Sequence, residues 1–167
     1  MGNPTDSLIG GFSLIPQLAD NTNLPVIAAG GIMDARGILA ALILGADGVQ
    51  MGTAFLTYAE AGIHSEYKNK LIKYEYDNTT LTTFFSGRLA RGIHNKFIRS
   101  MSHSVESSLD YPIQNALTKI IRKAAAEQNN PEFMSLWAGQ SAYLCGEISA
   151  EELIVQLKNE INDLLKD

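Results

Sequence analysis

The sequence has little of several features that define other classes of protein. It contains one cysteine, Cys145, so it can form no internal disulfide, which suits a reducing compartment. No apolar run approaches the roughly 20 residues that a membrane-spanning helix needs. The net charge is −5, whereas nucleic-acid binders are normally basic. We therefore expect no membrane insertion and no nucleic-acid partner, and we expect Cys145 to be a packing residue rather than a nucleophile.

Motifs for metal and hydrolytic chemistry are also missing. There is no His-x₃-His pair, no second cysteine and no run of carboxylates of the calcium-loop type, so no metal site is expected. No serine lies in a G-x-S-x-G elbow. The N-terminal stretch MGNPTDSLIGG has neither the charged nor the apolar region of a secretory signal, and we expect a cytoplasmic protein.

The most informative stretch of the chain is residues 25–55. Residues 25–29 form an apolar run that is too short for a helix, and its lack of polar alternation is typical of a parallel strand buried on both faces. Asp34 is placed to cap a helix that ends at Gly45. A second strand is expected at residues 48–51. Two parallel strands joined by one helix predict a right-handed βαβ unit.

Both predicted strands end in glycine. Gly30 and Gly31 follow the first strand, and Gly52 and Thr53 follow the second. Glycine allows a bulky anion to approach the main chain, and the N-terminus of the following helix adds partial positive charge. Adjacent turns of this kind bind phosphate at the ends of strands in (β/α)₈ barrels. They predict a phosphate site here, with tight turns that bind nothing as the alternative.

Five motifs occur in a defined order: AAGGI-x-D-x-R-G at 28–37, LGADGVQMGTAF at 44–55, FSGRLARGIHNKF at 85–97, YP at 111–112 and WAGQ at 137–140. Together they resemble the nitronate monooxygenase family, formerly called 2-nitropropane dioxygenases. The resemblance implies a TIM barrel that binds FMN and an enzyme that oxidises alkyl nitronates or nitroalkanes with O₂.

The resemblance also implies which residues hold the flavin phosphate and neighbouring parts of the cofactor: Gly30, Gly31, Gln50, Met51, Gly52 and Thr53. It assigns no catalytic residue to this chain. The catalytic histidine of the family lies in an AGGH segment that we expect upstream of these 167 residues. The proton-handling group is therefore expected outside the chain.

The length of the chain sets the expected fold class. A complete (β/α)₈ barrel typically needs about 250 residues, and this chain has 167. We expect an α/β fold: the C-terminal part of a TIM barrel, with about two parallel strands and flanking helices, plus a helical C-terminal appendage. Three segments are predicted, namely FMN-binding barrel units at 1–78, an irregular or strand excursion at 79–110, and the appendage packed on the barrel at 111–167.

Further helices and one further strand are expected from local patterns. Residues 13–19 predict a short helix with Pro16 in its first turn, residues 59–76 a mostly helical segment, and residues 79–85 a strand. A helix from residue 113 carries apolar residues at i, i+3, i+4 and i+7, which predicts that this stripe is buried. Ser149 and Glu152 form a capping box before the last helix.

Some polar and aromatic groups have open roles. His64 and His103 are expected at the surface, and His94 is the histidine best placed to approach a substrate. The basic segment 88–99 is an anion patch, a solvated face or, as the resemblance implies, a segment near the barrel mouth. In segment 137–140 there are two alternatives: either Trp137 fills an interface between helices, or Gly139 and Gln140 approach the flavin.

Three functions stay open from the sequence. The first is FMN-dependent oxidation of alkyl nitronates by O₂. The second is a flavin-dependent enoyl-ACP reductase, which shares the AAGGI and GT elements, although GRLARG at 87–92 resembles the monooxygenase branch more closely. The third is a non-catalytic fragment, a half-barrel that self-associates through unpaired strand edges or needs a missing N-terminal half.

Overall fold

The structure, a computed structural model, describes residues 9–74, 76, 78–103 and 108–166. Residues 1–8, on which part of the secretory-signal prediction rests, lie outside them. The chain divides into two compact units, Met1–Ala61 with Leu144–Asp167, and Gly62–Tyr143. The domain boundaries expected at residues 78 and 110 stay a prediction.

The helices and strands follow one another in this order: α1 (Gly11–Asn21), β1 (Ile27–Ala29), α2 (Ala35–Ile43), β2 (Gly48–Gln50), α3 (Ser65–Ile72), β3 (Thr79–Thr82), β4 (Ala90–Ile93), α4 (Lys96–Ser102), α5 (Ile113–Glu127) and α6 (Ala150–Leu164). Short 3₁₀ turns lie at Thr53–Phe55, Pro131–Phe133 and Ala142–Leu144. Within the described residues, no helix has the length and apolar character that crossing a membrane requires.

The predicted βαβ unit is present in the first unit of the structure. Strands β1 and β2 pair in parallel, and α2 connects them. Asp34 caps α2 by accepting a hydrogen bond from the amide of Gly37 at 2.9 Å. Gly45 follows the helix with φ +100°, the left-handed conformation expected after a helix C-terminus. The caps thus act where the local sequence predicts them.

The hydrophobic core of this unit lies on one side of the two strands. Ala28 packs with Ala41 and Ala46, and a second cluster joins the start of α2 to α6 through Met33, Ile38, Ala54, Tyr58, Leu153 and Leu157. The expectation that β1 is buried on both faces is wrong. Ile27 is 56% exposed and Ala29 is also exposed, because the described residues cover only the face that carries Ala28.

Helix α1 also differs from its prediction. It begins at Gly11 rather than residue 13, so Pro16 lies inside the helix and not in its first turn. The difference arises because Gly10, which provides no side-chain cap, is the residue that precedes the helix. A helix start without a capping side chain leaves no signal of the usual kind in the sequence.

The second unit is built on an antiparallel hairpin. Strand β3 pairs with β4. Gly92 of β4 also forms an isolated antiparallel bridge with Trp137. Phe85 follows β3 and is buried, with its ring stacked on that of Phe97 at 4.6 Å between centroids and edge-on to that of Trp137 at 5.6 Å. Trp137 therefore packs in an aromatic cluster between the hairpin and α4.

Helix α5 buries a different face from the predicted one. Its apolar residues Ile113, Leu117 and Ile120 are 57–77% exposed, whereas Gln114 and Thr118 are buried. That face makes two hydrogen bonds to the main chain, from Gln114 Nε2 to the carbonyl of Phe84 at 2.6 Å and from Thr118 Oγ1 to the carbonyl of Phe85 at 2.5 Å. The described residues pack against this face and leave the apolar stripe uncovered.

Glu132 connects two helices of this unit. Its carboxylate accepts hydrogen bonds from Lys70 Nζ in α3 at 2.9 Å and from the Lys96 amide at the start of α4 at 2.9 Å, and Arg99 lies at 3.2 Å. Burial alone raises the pKa of Glu132. The hydrogen bonds from Lys70 and Lys96 and the charges of Lys70 and Arg99 outweigh burial, so the pKa lies below its ordinary value of 4.5.

We expect Glu132→Gln to destabilise the fold in a pH-dependent way. A lowered folded-state pKa means that ionised Glu132 stabilises the fold above pH 4.5 and loses this contribution as the pH falls through the folded-state pKa. Urea unfolding at pH 7 should therefore show a loss of about 1 kcal/mol, shrinking towards pH 3.5. Glu127→Gln is the control, because its partner Lys123 is exposed. An equal loss at both pH values would contradict the prediction.

Candidate functional site

The pairing of β1 with β2 brings the six predicted cofactor residues to one end of the sheet. Ala29 lies opposite Gln50 in the parallel register. The residues that follow, Gly30 and Gly31 on one side and Met51, Gly52 and Thr53 on the other, therefore leave the strands at the same edge. Carboxyl ends of adjacent parallel strands form the usual ligand-binding edge of such a sheet.

Glycine leaves open space beside the main chain at both turns. Gly30 has φ +109° and Gly31 has φ +75°, conformations that strongly favour glycine. A Cβ built on Gly30 or on Gly52 would meet no atom within 4 Å. The first turn thus needs glycine for its conformation, and both turns leave open space in which a ligand could approach backbone groups.

The side chains at this edge differ in what they can offer. Gln50 is exposed, whereas Met51 packs against the hydrophobic cluster that contains Met33 and Tyr58. The Met51 side chain therefore contributes to the hydrophobic core. Thr53 begins the 3₁₀ turn, and its carbonyl accepts a hydrogen bond from the Leu56 amide at 3.1 Å.

The N-terminus of α2 carries a fixed carboxylate. Burial alone raises the pKa of Asp34, but hydrogen bonds from Gly37 and Arg36 outweigh this and hold the pKa below its ordinary value. Asp34 is thus ionised, and it accepts from Arg36 Nε at 2.7 Å. Its charge offsets part of the positive partial charge at the N-terminus of α2, which the sequence predicts to favour anion binding. An anion would therefore be bound mainly by the main chain of the glycine turns.

All three histidines, His64, His94 and His103, lie in the second unit of the structure. His64, expected at the surface, is half-buried in the second unit and caps α3, with Nδ1 accepting from the Glu66 amide at 3.1 Å. Its Nε2 lies 3.1 Å from the Ala126 carbonyl and donates to it in that tautomer. This cap is why the helix expected from residue 59 begins only at Ser65. His103 follows α4 and is exposed as predicted.

Cys145 behaves as the packing residue that was predicted. It is half-buried and packs against the cluster of the first unit. Burial raises the pKa of its thiol to about 11, which the Thr57 hydroxyl partly opposes. The thiol is therefore protonated at neutral pH and is a poor nucleophile. Among the described residues no group of three histidine, cysteine or acidic side chains is placed to hold a metal ion.

Three contacts that the sequence does not predict join the second glycine turn and the residues after it to residues 145–150. Thr57 Oγ1 donates to the carbonyl of Gly146 at 2.7 Å, Glu60 accepts from the Ala150 amide at 3.3 Å, and Cys145 Sγ lies 3.7 Å from the carbonyl of Thr53. The partners are 89 to 92 residues apart along the chain. No local signal in the sequence could have identified them.

A cleft of about 650 Å³ lies in the same unit, beside the first turn of α2 and along α6. Its walls include Met33, Tyr58 and Leu157, with Arg36 and Glu160 among its polar residues. None of the six predicted cofactor residues lines it. The cleft and the glycine turns are therefore separate features of this unit.

The fold and the turns define an α/β protein whose parallel strands end in adjacent glycine turns. The sequence profile of the family described as nitronate monooxygenase matches residues 1–160. This chain belongs to the nitronate monooxygenase family, and the resemblance drawn from its motifs is confirmed.

Relatives and solved structures agree with this assignment. The chain is 46% identical over 158 residues to a probable nitronate monooxygenase of Staphylococcus saprophyticus, covering 95% of this chain and 44% of the relative. A probable nitronate monooxygenase of Staphylococcus aureus is also 46% identical over 159 residues, covering 95% of this chain and 45% of the relative. The chain spans about half the length of the curated relatives it matches.

Two solved structures share the fold. A nitroalkane oxidase from Streptomyces ansochromogenes superposes with a TM-score of 0.89 at 38% identity, covering 98% of this chain and 47% of that one. FabK from Thermotoga maritima superposes with a TM-score of 0.79 at 33% identity, covering 95% of this chain and 50% of that one. The mixed α/β fold of this chain is thus similar to about half of each of these proteins.

Proposed function

We propose that this chain supplies the phosphate-binding half of an FMN-dependent enzyme that oxidises alkyl nitronates with O₂. The observation that carries the proposal is the parallel register that sets Gly30 and Gly31 beside Met51 and Gly52, with open space at the main chain of both turns. Membership of the nitronate monooxygenase family and similarity to a nitroalkane oxidase support it.

The residues of the two turns fit the demands of a flavin phosphate. A phosphate needs backbone N–H donors and room close to the main chain, and Gly30 and Gly52 have no atom near a built Cβ. On this proposal Gly30, Gly31, Gly52 and Thr53 hold the phosphate, and Gln50 and the Met51 main chain contact neighbouring parts of FMN. The bound flavin supplies the electron transfer between nitronate and O₂.

The remaining parts of the reaction are assigned to groups beyond these turns. A nitronate is already deprotonated, so a base is needed only when a nitroalkane is the substrate. On this proposal the base is the histidine of an upstream AGGH segment, contributed by an N-terminal half that completes the barrel. Cytoplasmic location and self-association of this half through the free edges of β1 and β2 belong to the same proposal.

A flavin-dependent enoyl-ACP reductase is the second candidate. It shares the glycine elements at 28–32 and 52–53. The GRLARG run at 87–92 and the higher similarity to the nitroalkane oxidase favour nitronate oxidation. Consumption of O₂ with an alkyl nitronate, compared with oxidation of NADPH in the presence of an enoyl thioester, decides between the two when measured on the flavin-loaded protein.

Binding of FMN to this chain is the first test of the proposal. The purified chain is mixed with FMN, excess is removed, and the visible spectrum is recorded. We expect retained flavin with a shifted band, and about tenfold weaker binding of riboflavin, since riboflavin lacks the phosphate that makes charge-assisted hydrogen bonds. A colourless protein, or equal affinity for both ligands, would contradict phosphate binding at these turns.

A further inference from the structure

We infer that Thr57 is a positioning residue for the second glycine turn. Its hydroxyl holds the turn at Gly52 and Thr53 against the segment that precedes α6, and so sets the affinity of the turn for an anionic ligand. The identity of that ligand as FMN rests on the proposed function. The role of Thr57 in positioning the turn does not depend on the ligand, because it is inferred only from contacts within the first unit.

Thr57 is joined to the turn by a short and direct path. The Phe55 amide donates to the carbonyl of Gly52 at 3.0 Å, and the Leu56 amide donates to the carbonyl of Thr53 at 3.1 Å. Thr57 is the next residue. Because a single 3₁₀ turn has few hydrogen bonds of its own, its orientation depends on what anchors its ends.

The anchor at Thr57 is well made. Thr57 is only 4% exposed, and its Oγ1 donates to the carbonyl of Gly146 at 2.7 Å. Ala54 and Tyr58 on either side belong to the buried cluster of this unit, at 2% and 4% exposed. A part-buried hydrogen bond of ordinary length, between residues 89 apart, fixes the loop against a part of the chain that local structure does not control.

Two weaker contacts join the same pair of segments. Cys145 Sγ lies 3.7 Å from the carbonyl of Thr53, and a thiol is a weak donor. The exposed Glu60 carboxylate accepts from the Ala150 amide at 3.3 and 3.4 Å, beyond the usual distance for such bonds. Thr57 therefore provides the strongest of the three connections and is the residue to test.

The connection matters for ligand binding because a rigid turn loses less freedom when a ligand binds. Backbone donors that already point in a fixed direction give tighter binding than donors that must first be ordered. Thr57 is 4% exposed and its hydroxyl donates to Gly146, so it acts on the ligand through the turn. Its loss should weaken anion binding without removing a ligand contact.

The test compares Thr57→Val, which keeps the shape and removes the hydroxyl, with Thr57→Ser, which keeps the hydroxyl. Two quantities are measured in each: hydrogen–deuterium exchange at the amides of Phe55 and Leu56, and the Kd for FMN. We expect Thr57→Val to accelerate exchange at both amides and to raise the Kd by about fivefold or more, the effect of losing one net hydrogen bond. Thr57→Ser should stay within about twofold of the wild type.

Exchange at the amides in the middle of α2 controls for general loss of stability. Unchanged exchange at Phe55 and Leu56 in Thr57→Val, or acceleration that is equal in α2, overturns the inference. Faster local exchange with an unchanged Kd overturns the link to the ligand. If the wild-type chain binds no FMN, the proposed function of this chain fails, while the exchange comparison still decides whether Thr57 fixes the turn.

Discussion

Gly31→Asp is expected to abolish binding of FMN to this chain. Gly31 has φ +75° at the end of β1, beside the turn at Gly52. An aspartate there would place a carboxylate where the proposed site receives a phosphate. Like charges brought together in this way cost several kcal/mol, so the Kd should rise by at least about 100-fold.

Two matched variants separate the causes of this effect. Gly31→Asn has a similar shape without the charge, and asparagine tolerates a positive φ, so it should lose less affinity than Gly31→Asp. Gly10→Asp adds the same charge before α1, where a Cβ meets nothing within 4 Å, and should leave the Kd unchanged. The Kd is measured by titration with FMN after circular dichroism has confirmed the fold. Wild-type affinity in Gly31→Asp would place the site elsewhere.

Gly87→Ala is expected to destabilise the second unit strongly. Gly87 lies between β3 and β4 with φ +80°, and its amide donates to the carbonyl of Thr83 at 2.7 Å. A Cβ at this position would lie 2.4 Å from the carbonyl oxygen of Leu109 and 2.5 Å from the amide nitrogen of Tyr111. Both are main-chain atoms that cannot rotate away. Overpacking and backbone strain together should cost about 4 kcal/mol or more.

The single tryptophan of the chain reports on this unit directly. Trp137 packs edge-on against Phe85, close in sequence to Gly87, so its fluorescence follows unfolding of the aromatic cluster. Urea titrations should show a much lower midpoint for Gly87→Ala than for the wild type. Gly62→Ala is the control, since its Cβ would meet nothing within 4 Å and its midpoint should hardly move. A wild-type midpoint in Gly87→Ala would show that the segment at 109–111 yields more easily than its contacts indicate.

Some of the fold follows from short-range patterns. Asp34 caps α2, Gly45 follows that helix with a positive φ, and Ser149 and Glu152 form the capping box of α6, each as the sequence predicts. These features depend on hydrogen bonds and backbone conformations within about four residues, which is the range over which sequence patterns are informative. The glycine pairs after β1 and β2 are also predictable for this reason.

Other elements could not be predicted because their partners are far away in sequence. The apolar stripe of α5 indicates a buried face, yet Gln114, Thr118 and Ala125 are the buried residues, and the two polar ones bond to the carbonyls of Phe84 and Phe85. A pattern records which side chains favour burial but not which surface is available to cover them. The same limit applies to β1, whose two-sided burial was predicted and whose Ile27 is exposed.

By itself, the sequence determined the family of this protein, the βαβ unit and the residues of the two glycine turns, because motifs, caps and strand patterns act over short distances along the chain. The tertiary structure alone decided the register of the two strands that these turns follow, with Ala29 paired to Gln50. It also decided that Thr57, which follows the second turn, donates a hydrogen bond to Gly146, 89 residues away in the sequence. Contacts of this length depend on how the chain folds back on itself, and no local pattern encodes them.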